Sequence, residues 1–134
     1  DRIESRGLGD VYKRQTKMVN QICIAGLIQA LAEGMHFSRR AGLNTSDVMD
    51  VITKGAAQSW QMENRWETML NDEYDFGFAV DLMRKDLDIV LKQAKKMDTE
   101  LEITDLVNSF YIEIQKLGGG RWDTSSLLKR IQEK

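Results

Sequence analysis

The chain has 134 residues, of which 42% are hydrophobic and 30% charged, with a formal net charge of −2. That length suits one domain with a sizeable core, and so even a charge gives no nucleic-acid footprint. Proline is absent altogether, which favours helices over a strand-and-turn architecture.

Asp1 to Gln15 differ from the rest of the chain. They carry Arg2, Arg6, Lys13 and Arg14 with scattered glycines and no apolar periodicity. The run Gly-Asp-Val-Tyr-Lys-Arg-Gln resembles a translated adapter, so 1–15 is expected to be a non-native tail or scar, disordered or opportunistically helical. The domain is expected over 16–134.

From Thr16 to Ala41 the pattern predicts one long helix. Met18 to Ala32 holds no charge, and its apolar residues cover all sides, as in a central helix. That run is too short and too rich in amides to span a membrane. Gly42 suits the helix end. Asn44 is expected to cap a short helix bearing Val48, Val51 and Ile52, ended by Gly55. A second short helix starts near Gln58-Ser59 and carries Trp60, Met62, Trp66, Met69 and Leu70; Asn71–Gly77 then reads as turn. Phe78–Met97 is the second long helix, with stripes Phe78/Leu82/Ile89 and Val80/Met83/Leu87/Val90. Thr104 is expected to cap a third, stopped by Gly118-Gly119-Gly120, and Asp123 a last one through Leu127, Leu128 and Ile131. The class is all-α, with two long helices and several shorter ones.

Lys17 opens the greasy helix, and Asn20 and Gln21 share its face at i+3 and i+4. A cation beside two amides can hold and protonate a small polar substrate. The plainer alternatives are a lysine that snorkels into water and amides that cross-link helices; spacing alone favours these. Lys85 is either a ligand anchor or the partner of Asp81. His36, the only histidine, has no ligand-spaced companions, so no metal site is expected. Trp60, Trp66 and Trp122 read as core or interface anchors. The lone Cys23 can form no internal disulfide, and a cytoplasmic setting is the default. No signal-peptide pattern opens the chain.

Three motifs together resemble the C-terminal helical domain of the β-hydroxyacid dehydrogenases, which include 3-hydroxyisobutyrate dehydrogenase and tartronate semialdehyde reductase and are related to 6-phosphogluconate dehydrogenase. Lys17-Met18-Val19-Asn20-Gln21 is similar to the family's Lys-x-x-Asn-[Asn/Gln]. Phe78 through Lys85-Asp86-Leu87 is similar to its Phe-x-x-x-Leu-x-x-Lys-Asp-Leu. The third is Gly119-Gly120 with Asp123 and Ser125-Ser126-Leu127.

The resemblance implies that Lys17 is the catalytic acid/base and that Asn20 and Gln21 bind substrate. It further implies that Lys85 and Phe78 line the cofactor and substrate cleft, with Asp86 as a supporting partner. NAD or NADP would be the cofactor and a short hydroxy acid the substrate, with a homo-oligomer expected and neither membrane nor nucleic acid involved. The sequence departs from the family in lacking the preceding Rossmann domain, in carrying Val11-Tyr12-Lys13-Arg14-Gln15 where the family has glycines, and in Leu101-Glu102 for the usual Leu-Pro. The chain then corresponds to about half an enzyme and is expected to be inactive alone. A competing reading is a stand-alone helical module for self-association or protein binding. It would leave Lys17, Asn20 and Lys85 scattered, whereas the enzyme reading needs them around one open cleft.

Overall fold

A computed structural model describes the backbone of residues 2–134, and side chains from Gly9 onward. The side chains of Arg2 and Arg6, counted above in the basic segment, lie outside the described residues. The elements are α1 (Arg2–Arg40), α2 (Thr45–Ile52), α3 (Trp60–Leu70), α4 (Val80–Lys96), α5 (Glu102–Lys116), a 3₁₀ turn (Thr124–Ser126) and α6 (Leu127–Gln132). Among the described residues extended pairing is limited to one antiparallel bridge, Ala79 with Asp123. The class is all-α, as the patterning implies.

α1 touches every other helix. Its inner face buries Ala25, Ile28, Leu31, Ala32 and Met35 against Tyr111 and Ile114 of α5, Leu127 and Leu128 of α6, and Met83 and Leu87 of α4. By length and composition α1 could cross a membrane, but those apolar positions form this core. The apolar coat is not fully covered, however. Val19 is 57% and Leu27 43% exposed, and Cys23 between them is also exposed. Residues at i, i+4 and i+8 make one stripe, and five shorter helices do not close around it. Residues 9–15 continue α1 without a break.

The local punctuation is mostly chemical. Asn44 accepts from the Asp47 amide and Ser59 from that of Met62, so each caps its helix. Gly42, at φ +76°, turns the chain out of α1. Three expected starts differ, one of them that of α6, which begins uncapped at Leu127 after the 3₁₀ turn that Asp123 caps. α4 begins at Val80 rather than Phe78, because the Phe78 amide donates to Asp123 Oδ1 (2.9 Å) and that of Val80 to the Trp122 carbonyl (2.8 Å). α5 begins at Glu102 after Leu101, with no side-chain cap; Thr104 lies inside the helix and is buried.

The entrance to α4 is tied down by the Gly119–Ser126 segment. Asp123, fully buried, accepts from the Phe78 amide, from the Ser125 amide and hydroxyl, and from Arg65 Nε (3.2 Å). Arg65 itself lies over the Trp60 and Phe76 rings, 5.1 Å from each centroid. Gly77, at φ +76°, passes so close that a Cβ would strike the Asp123 carboxylate, and one on Gly120 would strike that of Asp81.

Candidate functional site

α1 and α4 pack antiparallel. Residues near Gln21 meet Met83 and Asp86, while Gln15, Met18 and Val19 meet Val90, Gln93 and Met97. This pairing faces the polar start of the greasy run towards Lys85-Asp86. Gln21 Nε2 donates to Asp86 Oδ2 (2.9 Å) and lies 3.6 Å from Met83 Sδ. Gln21 Oε1 accepts from Asn20 Nδ2 (2.9 Å). Asp86 Oδ1 faces Lys17 Nζ at 3.9 Å. A chain of contacts thus runs Asn20–Gln21–Asp86–Lys17.

Exposure divides these residues. Gln21 is 6% exposed. The Asp86 side chain is 18% exposed and that of Lys17 69%. At 3.9 Å the Lys17–Asp86 pair is an ion pair but not a hydrogen bond, so the ammonium protons remain available to a third group. Such a half-exposed pair adds little to stability.

A cleft of about 210 Å³ opens beside the pair, lined by Arg14, Lys17, Met18, Gln21, Asp86, Ile89 and Val90. Its polar lining consists of two cations (Arg14 and Lys17), one carboxylate (Asp86) and one amide (Gln21), and the rest is apolar. Ligand sites are commonly built this way, largely apolar with a few placed polar groups. A short hydroxy acid or a single nicotinamide ring fits this volume; a whole dinucleotide does not. No glycine-rich phosphate cradle adjoins it among the described residues.

Lys85 and Phe78 are not among the cleft-lining residues. Lys85 is exposed and, among the described residues, has no hydrogen bond or ion pair. It stands one helical turn before Ile89, which does line the cleft, on the exposed flank of α4. Its expected partner Asp81 instead accepts from Gln115 Nε2 (2.7 Å). Phe78, 37% exposed, lies in the stretch just before α4. Asn20 is exposed and touches the cleft only through Gln21. Of the expected site residues, Lys17, Gln21 and Asp86 are thus brought to one cleft, and Lys85 and Phe78 are not among those lining it.

Two participants were under-read from sequence. Asp86 shares the inner stripe of α4 with Met83 and Val90, at i+3 and i+4 steps, so its phase already points it at α1. Arg65 gave no local signal, because its partner Asp123 is 58 residues away. Among the described residues no group of three His, Cys, Asp or Glu side chains is placed to hold a metal ion. His36 is half-buried on α1.

The chain is thus an all-α domain whose central helix presents a lysine to an apolar cleft. The family model described as NAD-binding of NADP-dependent 3-hydroxyisobutyrate dehydrogenase matches residues 14–131. The chain belongs to that family, within the NAD(P)-dependent β-hydroxyacid dehydrogenases. It is 59% identical over 127 residues to an uncharacterized oxidoreductase of Shewanella frigidimarina, covering 94% of this chain and 44% of that protein. With L-threonate dehydrogenase of Escherichia coli K12 it shares 31% identity over 123 residues, 92% of this chain and 39% of the relative. The crystal structure of 3-hydroxyisobutyrate dehydrogenase from Salmonella typhimurium superposes with a TM-score of 0.78 at 32% identity, over 86% of this chain and 40% of that one. The chain thus spans less than half the length of these relatives.

Proposed function

We propose that this chain is the substrate-side half of an NAD(P)-dependent dehydrogenase acting on a short 3-hydroxy acid, or on the corresponding semialdehyde, with Lys17 as its acid/base. The carrying observation is the convergence of Lys17, Gln21 and Asp86 on one cleft. A helical module with no chemistry has no need to bring these groups together.

Nicotinamide, when bound, supplies the hydride chemistry. The residues here hold the acid and handle the proton. In reduction the Lys17 ammonium gives a proton to the carbonyl oxygen and opposes the charge developing there; oxidation runs the same transfer in reverse, with the deprotonated Lys17 amine taking the hydroxyl proton. Asp86 gives the ammonium a resting partner 3.9 Å away, too loose to monopolise its protons. Asn20 keeps its side-chain carbonyl and one N–H for the acid. Met18, Ile89 and Val90 give the cleft its apolar wall. Lys85, next to Asp86 on α4, and Phe78, just before that helix, are the residues we assign to the cofactor side.

The volume of the cleft and the lack of a phosphate cradle beside it support a second element of the proposal, that the other half of the active site is supplied elsewhere and this chain alone does not turn over. The unclosed stripe Val19–Cys23–Leu27, with exposed Ile103 and Leu106 on α5, supports self-association, since contiguous apolar surface marks interfaces. A cytoplasmic location suits the exposed, unpaired Cys23. The purified chain, given 3-hydroxyisobutyrate with NAD or NADP, is expected to produce no reduced cofactor. Joined to the N-terminal part of the Shewanella relative in place of that protein's own matching segment, it is expected to produce it. Turnover by the chain alone refutes the half-site; a folded but inert chimera refutes the dehydrogenase reading.

A further inference from the structure

The family resemblance makes Gln21 a substrate ligand, but its surroundings point elsewhere. Gln21 is 6% exposed, and both ends of its amide are already engaged. Nε2 donates to Asp86 Oδ2 at 2.9 Å and rests 3.6 Å from the sulfur of Met83, a residue with no exposed surface. Oε1 accepts from Asn20 Nδ2 at 2.9 Å. A buried amide so partnered gains nothing by turning to a ligand, and leaving Asp86 would strand a carboxylate at the cleft wall.

We infer that Gln21 is a positioning residue that ties the Asp86 carboxylate of α4 to α1 and aims the Asn20 amide, rather than a group that touches substrate. The two oxygens of Asp86 divide the work: Oδ2 is fixed by Gln21, so Oδ1 is held at a set place facing Lys17. The length of the side chain matters. Asparagine, the residue's alternative in the motif, is one methylene shorter, so its amide reaches less far from the same backbone position. The tie also joins α1 to α4 by a direct hydrogen bond at this end, so it fixes how far the two helices stand apart at the cleft. This inference rests on Lys17 being the acid/base for its meaning in catalysis, while the tie itself can be measured without any ligand.

Nuclear magnetic resonance on the isotope-labelled full chain tests both parts. The Gln21 side-chain amide protons are expected to exchange with solvent about tenfold or more slower than those of exposed Asn71, as a locally closed hydrogen bond requires. Asp86→Ala is expected to abolish that difference while the chain stays folded. If Asp86→Ala unfolds the chain, Gln21→Met is the second variant: it keeps the packing against Met83 and is expected to broaden or shift the Asp86 and Lys17 side-chain signals while those of the distant Tyr111 stay in place. Added 3-hydroxyisobutyrate is expected to move the Lys17 and Asn20 side-chain signals and to leave the Gln21 amide in place. Fast exchange of the Gln21 amide in the wild-type chain, or a Gln21 shift as large as that of Lys17 on adding the acid, overturns the inference. If no side-chain signal moves on adding the acid, the substrate reading of Lys17 fails, and the exchange data still decide the tie.

Discussion

Asp123 concentrates more structural work than any residue of the cleft. It holds Arg65, the start of the α4 entrance and the 3₁₀ turn with one buried carboxylate. Removing one partner of a buried pair leaves the other uncompensated, so Asp123→Ala is expected to cost about 3–5 kcal/mol in urea denaturation; a loss under about 1 kcal/mol would contradict this role at the α4 entrance. Tyr111, fully buried, donates to the Thr124 carbonyl (3.1 Å). Burial above all, and then the nearby Asp123 carboxylate, push its phenol well above the ordinary range. A group raised in the folded state contributes stability that is fully present below its unfolded value, about 10 for tyrosine, and is lost as pH climbs beyond it. The denaturation midpoint is therefore expected to fall as pH is raised past about 10, with a shallower slope in Tyr111→Phe, which gives up roughly 1 kcal/mol at neutral pH for the lost hydrogen bond. Asp88 behaves in the opposite sense. Its hydrogen bond from Arg84 holds the carboxyl below the ordinary range, so its contribution is present above an unfolded value of about 3.9 and is lost as pH falls through the folded one. A flatter acid limb in Asp88→Asn is the expected readout.

At the scale of elements, the antiparallel pairing of α1 with α4 makes the site. The helices themselves were legible: Asn44, Ser59, Asp123 and Gly42 act at their ends as their residue types require, and the inner stripe of α4 carries the expected Val80, Met83, Leu87 and Val90. What local pattern could not give was register. Nothing in the sequence near Lys17 says that Asp86, rather than Asp81, will stand opposite it; that depends on how the whole of α1 slides against α4 under the constraints of α5 and α6. The early start expected at Phe78 failed for the same reason, since a carboxylate 45 residues away takes that amide. Gly120 belongs to this constraint. Gly120→Ala pushes a methyl group into Asp81 at the first turn of α4, with an expected cost of about 1–3 kcal/mol seen as a lower melting temperature. Ile28→Ala, in the centre of α1 with no exposed surface, is expected to cost about 2–5 kcal/mol. If Gly120→Ala is neutral, the α4 entrance is softer than its contacts imply.

For the molecule as a whole, the family was legible from three spaced motifs, yet only two of them bear on the cleft. The third, around Gly119 to Leu127, is architectural and holds α4 in place for the second. The resemblance implies that Phe78 and Lys85 line the cofactor and substrate cleft; neither is among the residues lining the cleft beside Lys17. The exposed stripe of α1 leads to an expected dimer in sedimentation at micromolar concentration, and to a monomer on Leu27→Glu; a wild-type monomer contradicts the self-association reading. Lys17 carries the proposed chemistry. Its most direct test is the steady-state kcat of the chimera with the Shewanella relative, with and without Lys17→Met. A positioned acid/base predicts a loss of roughly a hundredfold to ten-thousandfold with the fold intact. An unchanged kcat in Lys17→Met would show that the proton is handled elsewhere.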